Sequence, residues 1–466
     1  MNCAVLCPTQ GAVEAPMIRL KLPHLAQFHH VQHSAQRVPA QHQVGGCRVD
    51  LMRVLFLNTR DSLGADVAVH ITLARAFDRQ QVRVWAATGL HETGVDSARA
   101  EFAAIPNMTV LPLELGRPMS AERGLGRFMA MVANIRGAAN LIFLAIRCRR
   151  GEIDLIHVTD RPRDAFFGLI LARLAGSACL IHAHTNYSPH DFSNLSKRVF
   201  QNCDAIVGVS NFTAATYRNA AELDMPQVYA LPNAVETTIF DKDVTDEERL
   251  AMRQRLAVPA GAPLLGCVAR LSRWKDQATL MEALAQLTGS IPQVHLAFAG
   301  ANSDISPDGN GSYLDYLNRL ARALNIEKRV RYAGYLPRSE MPLFYAACDL
   351  VAHPAIGEPF GLAVIEAMLS ARPVVAAKDG GIPEIIQDGV DGLLVVPRQP
   401  TALAAALGRV LSDPTLAARL AAAGREKVLT HFTPAIQAAG MLEIYRSVVR
   451  LGHRESGSSF NKGGLS

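Results

Sequence analysis

Short apolar runs alternate with longer amphipathic stretches along most of the chain. From Met52 onward, apolar runs at 54–57, 82–86, 155–158, 179–181 and 205–209 are separated by helical patterns such as 67–77 and 165–175. Runs of this length without in-and-out alternation are those of strands covered on both faces, and the intervening helical periods predict parallel strands joined by crossover helices. A polar stretch at 241–249 interrupts the rhythm, which restarts with runs at 264–268, 294–299, 330–332, 350–352 and 373–376. The pattern therefore predicts an α/β protein with two doubly wound halves. Their boundary falls between Asn233 and Asp246, where Leu231-Pro232-Asn233 ends the first half and an acidic run opens a helix. Residues 434–450 form a final helix by pattern, with Ile436, Met441, Leu442, Ile444, Tyr445 and Val448 near helical spacing. The Gly/Ser-rich end at 456–466 is expected to fray.

Residues 1–50 lack sustained periodicity and read as a poorly ordered extension. Met52, directly before the first strand, is the expected functional start. The five histidines of the extension (His24, His29, His30, His33, His42) read as a solvated group, since only His29 and His33 have the spacing of a metal pair on an ordered element. The segment lacks a signal peptide's continuous apolar core and resembles a transit peptide only weakly.

At 466 residues the chain has room for two or three domains of roughly 150 residues. It is 49% hydrophobic and 19% charged, a balance that excludes collagenous, disordered and coiled-coil classes. A net charge of +5 is too small for an electrostatic nucleic-acid binder. The eight cysteines (3, 7, 47, 148, 179, 203, 267, 348) include no Cys-x-x-Cys pair, so no zinc site or disulfide framework is expected and a reducing, cytoplasmic compartment fits. No run is long enough to span a membrane. Arg123, Arg127, Arg136, Arg147, Arg149 and Arg150 are, however, interspersed with Phe128, Met129, Met131, Val132, Ile135, Leu141, Ile142, Phe143, Leu144 and Ile146. That mixture suits either a core helix with snorkelling arginines or a helix that touches an anionic membrane surface.

Ligands of open parallel sheets bind beyond the carboxyl ends of the strands. The most informative such segment runs from His353 through Gly357-Glu358-Pro359-Phe360-Gly361-Leu362 to Glu366. It reads as strand, Gly-rich turn and helix: Gly357 and Gly361 let the backbone approach a ligand, and the amides that open the helix at Phe360, Gly361 and Leu362 suit a phosphate. Glu358 and Glu366, with seven residues between them, can accept hydroxyl pairs from the two ends of a ligand whose phosphates lie between. Glu366 is flanked by apolar residues on all sides, so its carboxylate needs a partner. A second segment, Val268-Ala269-Arg270-Leu271-Ser272-Arg273-Trp274-Lys275, is a strand end followed by a basic turn.

Together these segments resemble glycosyltransferase family 4, the retaining nucleotide-sugar transferases of the GT-B fold, over about residues 52–450. The resemblance implies two Rossmann-like domains facing a cleft: an acceptor domain at 51–236, a nucleotide-sugar-binding domain at 237–432, a helix at 433–451 returning to the first domain, and a flexible tail at 452–466. It implies that Glu358 meets the donor sugar, Glu366 the ribose hydroxyls, and Arg270 and Lys275 the diphosphate. Two fixed cations with helix amides suit a leaving diphosphate that gains charge, so no metal or other cofactor is expected. The only Asp-x-Asp, Asp241-Lys242-Asp243, lies in the linker. Tyr335 and Leu336, in Arg331-Tyr332-Ala333-Gly334-Tyr335-Leu336, resemble the turn whose backbone contacts the base. The turn Asp379-Gly380-Gly381-Ile382-Pro383 reads equally as the family's Gly-Gly turn or as plain helix-start geometry.

In the first half, His182-Ala183-His184-Thr185-Asn186 ends a strand, and similar segments in polysaccharide-making members position the donor sugar. His184 is the candidate, since His182 falls within the apolar run. Two departures stand out. After the first strand the family's Gly-Gly turn is replaced by Asn58-Thr59-Arg60-Asp61-Ser62-Leu63-Gly64, leaving Gly64, with the amide of Ser62, for phosphate or acceptor contact. The family's Asn-Gly-Val-Asp appears as Asn233-Ala234-Val235-Glu236, where Ala234 suits positive φ poorly.

The implied activity is transfer of a hexose-type sugar from a UDP- or GDP-sugar to a hydroxyl of a carbohydrate or lipid-linked acceptor, with retention. Catalytic roles fall to Glu358, His184, Arg270 and Lys275. The setting is polysaccharide or glycolipid synthesis in the cytoplasm or at the inner membrane face. The alternatives are a nucleotide-sugar epimerase of the same fold and a catalytically silent nucleotide-sugar-binding subunit, the latter favoured by the altered Gly64 turn.

Overall fold

The computed structural model describes residues 51–61, 63–89, 97–115, 125–151, 153–220 and 224–459, and for 125–133 and 451–459 the backbone course only. The expectations placed on residues 1–50, Ser62, Arg123 and residues 460–466, and on the side chains of Arg127, Phe128, Met129, Met131 and Val132, lie outside the described residues.

The first lobe runs β1 (Met52–Asn58), α1 (Ala65–Ala76), β2 (Val82–Gly89), α2 (Ala98–Ala103), β3 (Thr109–Leu113), α3 (Leu125–Gly151), β4 (Leu155–Thr159), α4 (Pro162–Ala175), β5 (Ala178–Ala183), α5 (Asn194–Asn202), β6 (Ala205–Gly208), α6 (Asn211–Arg218) and β7 (Gln227–Ala230). Its strands form one parallel sheet in the order β3-β2-β1-β4-β5-β6-β7.

The second lobe runs α7 (Thr237–Phe240), α8 (Asp246–Arg255), β8 (Leu264–Val268), α9 (Gln277–Leu287), β9 (His295–Ala299), α10 (Tyr313–Ala323), β10 (Val330–Gly334), α11 (Met341–Ala347), β11 (Leu350–His353), α12 (Leu362–Leu369), β12 (Val374–Ala377), α13 (Ile382–Ile385), β13 (Leu393–Val395), α14 (Pro400–Ser412) and α15 (Pro414–His431). Its parallel sheet is ordered β10-β9-β8-β11-β12-β13. The last helix, α16 (Pro434–Ser459), follows.

Local chemistry explains most of these boundaries. Thr245 and Glu248 form a reciprocal capping box that starts α8 out of the polar linker. Gly176, at φ 75°, closes α4. In both sheets the strand order reverses beside the first strand of the lobe, between β1 and β4 and between β8 and β11. Neighbouring loops diverge at such a point and leave a crevice at the carboxyl ends of the strands.

Strands β3, β7 and β13 are edge strands absent from the apolar pattern. They are short, half covered and, in β3, interrupted by Pro112, so they lack the continuous runs that mark the central strands. Ala234 is not among the residues at positive φ, so Asn233-Ala234-Val235 turns without strain. Val235 and Phe240 are buried in the core of the second lobe, and the Val235 amide donates to the Phe432 carbonyl at 3.0 Å.

Each lobe buries apolar side chains on both sheet faces. On one face of the first sheet, Val54, Phe56, Leu155 and Leu180 pack with Val67 and Ile71 of α1 and with Met441, Leu442, Ile444, Tyr445 and Val448 of α16. The last helix therefore leaves the second lobe and closes the core of the first. Two details differ from the sequence reading. Ile436 is 45% exposed rather than packed. The helix also continues to Ser459, past the expected end at 451 and into the segment read as a flexible tail.

Helix α3 turns Leu141, Leu144, Ala145 and Cys148 onto the sheet and leaves Ile135, Ile142 (55% exposed), Phe143 (58% exposed) and Ile146 on the outside, among Arg136, Arg147, Arg149 and Arg150. The five described cysteines are buried and free.

Candidate functional site

The two basic and acidic segments of the second lobe end neighbouring strands, β8 and β11, whose registers pair Leu265 with Leu350 and Gly266 with Val351. After β8 the chain makes one tight 3-10 turn at Arg273–Lys275 and enters α9 through Asp276. After β11 it loops through Glu358 to Gly361, whose φ of 116° and 2.6 Å approach of a would-be Cβ to the Ile382 side chain admit only glycine. The loops are tied together by the Ile356 amide donating to the Trp274 carbonyl at 2.9 Å.

Glu358 is the hub. One carboxylate oxygen forms a short ion pair with Lys275 Nζ and lies 3.2 Å from His353 Nε2. Burial pushes its pKa upward, but the Lys275 charge and the His353 contact override this and hold it well below the usual range, so the carboxyl stays ionised. Arg270 is exposed at the mouth and makes no ion pair among the described residues, while Gln277 Nε2 pins its carbonyl at 2.9 Å.

Glu366, in the second turn of α12, accepts the Tyr345 hydroxyl at 2.8 Å. Burial raises its pKa to about 7 against the opposing pull of Arg338 and Tyr345, so without a ligand it is poised between acid and carboxylate at neutral pH. The Phe360 side chain packs into the core against Phe432, ring centroids 5.9 Å apart, so this residue offers a ligand only its backbone. Leu362 opens α12. Leu336 is likewise buried, whereas the Tyr335 ring is 54% exposed.

The Gly-Gly turn, open between two readings in the sequence, is the backing of Glu358. A Cβ on Gly380 would lie 2.3 Å from the Glu358 carbonyl oxygen, the Gly381 amide donates to that oxygen at 2.7 Å, and Asp379 accepts the Gly357 amide at 2.8 Å.

In the first lobe, His184 and Thr185 are held by Asp160 at the end of β4, which accepts the amides of His184 (3.1 Å) and Thr185 (2.8 Å) and the Thr185 hydroxyl (2.5 Å). Burial raises the Asp160 pKa to about 6 although the Thr185 bonds oppose it. Gly64 caps α1 beneath the Asp66–Arg161 ion pair (2.6 Å), and a Cβ there would collide with both side chains. The lobes meet across the site. Asn186 Nδ2 donates to the Gly357 carbonyl (2.8 Å), Ser210 and Thr213 hydroxyls donate to the Pro359 carbonyl (2.5 and 3.1 Å), and Glu384 accepts the amides of Asn211 (2.8 Å) and Phe212 (2.7 Å) at the start of α6.

The structure thus brings Lys275, Glu358 and the opening of α12 together, with Glu366 on the same helix, Arg270 at the mouth, and the His184 segment joined to the Glu358 loop through Asn186. Sequence reasoning gave no role to His353, Asp379, Asp160, Tyr345 and Glu384. The first three directly end or follow strands, and the strand-end rule marks them; Tyr345 and Glu384 act from helices and carry no local signal.

The profile described as "Glycosyltransferase Family 4" matches residues 67–239, and that described as "Glycosyl transferases group 1" matches residues 248–427. The chain is 29% identical over 286 residues to a GDP-mannose-dependent alpha-(1-6)-phosphatidylinositol monomannoside mannosyltransferase of Mycolicibacterium smegmatis, spanning 59% of this chain and 72% of that protein. It is 31% identical over 256 residues to a D-inositol 3-phosphate glycosyltransferase of Xylanimonas cellulosilytica, spanning 53% and 59%. Alignments with such inositol-phosphate enzymes thus span about half of their length. Among solved structures, Anabaena HepE in complex with UDP and glucose superposes with a TM-score of 0.67 at 26% identity, covering 85% of this chain and all of that one. WaaG, a glycosyltransferase involved in lipopolysaccharide biosynthesis, shares the fold with a TM-score of 0.58 at 15% identity, covering 84% of this chain and all of that one. With two facing Rossmann-like lobes and both family profiles matched in order, the chain belongs to glycosyltransferase family 4, with a group 1 glycosyl transferase second lobe on the GT-B fold.

Proposed function

We propose that the chain moves a hexose-type sugar from a nucleoside-diphosphate sugar to an acceptor hydroxyl with retention at the anomeric carbon. The observation that carries this reading is the Lys275–Glu358–His353 cluster at the switch point of the second sheet, beside the amides of α12. Lys275 and Arg270 neutralise the diphosphate as the bond from the anomeric carbon to its oxygen breaks. Glu358, fixed by Gly380 and Gly381, holds sugar hydroxyls, and Glu366 holds the ribose. The acceptor hydroxyl attacks from the face the diphosphate leaves, and its proton passes to the departing phosphate oxygen, so no protein carboxylate is needed as base. His184 orients the sugar from the opposite lobe. No metal is required at the diphosphate, since two side-chain cations stand there, and brief EDTA treatment should leave the initial rate unchanged.

UDP- and GDP-sugars are the donors to test, because the Anabaena structure holds UDP and the mycobacterial relative is named for GDP-mannose. For the acceptor, a carbohydrate or lipid-linked hydroxyl fits the relatives named for inositol phosphate and phosphatidylinositol mannoside. A lipid-linked acceptor would bring the protein to the inner membrane face. No described helix is long and apolar enough to cross a membrane, but the outer face of α3 carries Ile135, Ile142, Phe143 and Ile146 among arginines. Beside it opens a cavity of about 750 Å³ lined by Arg53, Arg83, Trp85, Phe143, Arg147 and Arg150.

The deciding experiment incubates the purified protein with UDP- and GDP-hexoses and follows diphosphate release with and without acceptor. Acceptor-dependent release supports transfer. Release or isomerisation without acceptor points to the epimerase reading, and tight donor binding without turnover to a silent subunit.

A further inference from the structure

We infer that His70, His157 and His182 form a buried site for a divalent transition metal of the zinc class in the first lobe, separate from the donor diphosphate. Three elements converge there: His70 from the middle of α1, His157 from β4 and His182 from β5, all fully buried. One ring nitrogen from each lies within 4.8 Å of the others. Both ring nitrogens of His70 and of His182, and Nε2 of His157, are buried without a hydrogen-bond partner. Buried polar atoms in native proteins are paired, so these orphaned imidazole nitrogens, one from each ring gathered in a common cluster, call for a shared partner.

A metal fits that requirement better than further protein groups. Zinc bound by histidine takes nitrogens at about 2.0–2.1 Å, which sets ligand atoms about 3.4 Å apart, within reach of small ring rotations from the observed spacing. The set contains imidazoles only. That excludes calcium and magnesium, which seek oxygen, and suits zinc, copper or nickel. Burial, and then the neighbouring histidines, lower the pKa values of all three, which keeps the rings neutral as ligation requires. His157 also has the second partner typical of a metal-bound histidine, since its Nδ1 lies 2.5 Å from the Tyr445 hydroxyl and Nε2 is left directed at the cluster. His184 Nε2 is orphaned as well, with its ring 4.4 Å from that of His182, and stands as the fourth ligand candidate. The ion would pin α1, β4 and β5, hold α16 through Tyr445, and fix the backbone two residues ahead of His184.

This inference stands independently of the transfer reaction. The test uses the full chain without an affinity tag, stripped by prolonged dialysis against chelator and titrated with cobalt(II) or zinc(II). The expected result is one ion per chain, a visible cobalt band of four-coordinate intensity, and a melting temperature raised by several degrees. His70→Leu and His182→Leu should lose all three, whereas a His29→Ala/His33→Ala control in the N-terminal extension should keep them. Lack of stoichiometric binding overturns the site, as does binding that survives in the leucine variants or disappears only in the extension control. Leucine variants that melt higher than the stripped parent and bind nothing support the assignment only if the parent binds. If the leucine variants do not fold, X-ray absorption of the zinc-loaded parent decides. A shell of three or four imidazole nitrogens at about 2.0 Å supports the site, and an oxygen or sulfur shell overturns it.

Discussion

Glu358 and Glu366 share a loop and its helix but face different partners, and their environments assign them different work. Glu358 is ionised and braced by Lys275, His353 and the Gly380-Gly381 turn, the arrangement of a group that must hold its position while charge moves beside it. Glu366 rests against a tyrosine hydroxyl and holds its proton up to about pH 7. Glu366→Ala should therefore weaken UDP or GDP binding by roughly one to two powers of ten, as expected for a lost hydrogen bond to a charged group, with little change in kcat. Glu358→Ala should lower kcat far more than nucleotide affinity, and calorimetric titration of both variants beside turnover measurements checks the split. Glu366 also makes stability depend on pH. Its folded pKa lies above the unfolded value of 4.5, so the folded state holds the extra proton between these values and loses relative stability as pH rises from 4.5 to 7. Glu366→Gln should melt progressively higher than the parent between pH 5 and pH 8, with a gain on the order of 1–2 kcal/mol at pH 8 after allowance for the carboxylate's partial exposure. Both glutamates were legible in the sequence because they sit at a fixed spacing around a strand-turn-helix junction. Not all their partners were: Tyr345 reaches Glu366 from another helix, a contact that only the fold creates.

At the scale of elements, the sequence reads best where an element is buried on both sides. The central strands of both sheets appear as apolar runs, while β3, β7 and β13, each partly exposed at a sheet edge, do not; β10, the fourth edge strand, is marked by its run at 330–332. Helix α16 shows the same logic, its apolar spacing marking the face that closes the first lobe. Met441, Leu442, Ile444, Tyr445 and Val448 are buried there, and at roughly 1.5–3 kcal/mol each they represent a large part of a typical stability of about 5–15 kcal/mol. Truncation before Pro434 should cause aggregation or a steep fall in Tm, seen by thermal melt against the intact chain. Helix α3 is apolar on two sides, which the sequence could not divide into core and surface; the fold does so by turning Leu141, Leu144 and Cys148 inward and Ile142 and Phe143 outward. Replacing Ile142 and Phe143 by serine should reduce binding to vesicles containing phosphatidylglycerol by about tenfold or more, with little change in Tm, in a sedimentation assay.

Across the whole molecule, the lobes are linked by polar contacts as well as by Val209, just after β6, which packs into the core of the second lobe. Asn186, Ser210, Thr213 and Glu384 reach carbonyls and helix amides of the opposite lobe around the loop that carries Glu358. Such contacts can exchange for water, so they suit a cleft that opens and closes around its ligand. Glu384→Ala removes three charge-assisted bonds to the start of α6 and should increase the radius of gyration of the nucleotide-free protein in small-angle scattering.

The return of α16 to the first lobe also bears on how the protein is made. Phe56 and Tyr445 pack in the same core, yet almost 390 residues of synthesis separate them. At about 5–20 residues per second, the first lobe, whose last strand ends at Ala230, waits roughly 10–40 s for that helix, with one sheet face partly uncovered throughout. During synthesis the second lobe can complete its own core before the first does, and the apolar face that α16 covers stands open to water in the interval.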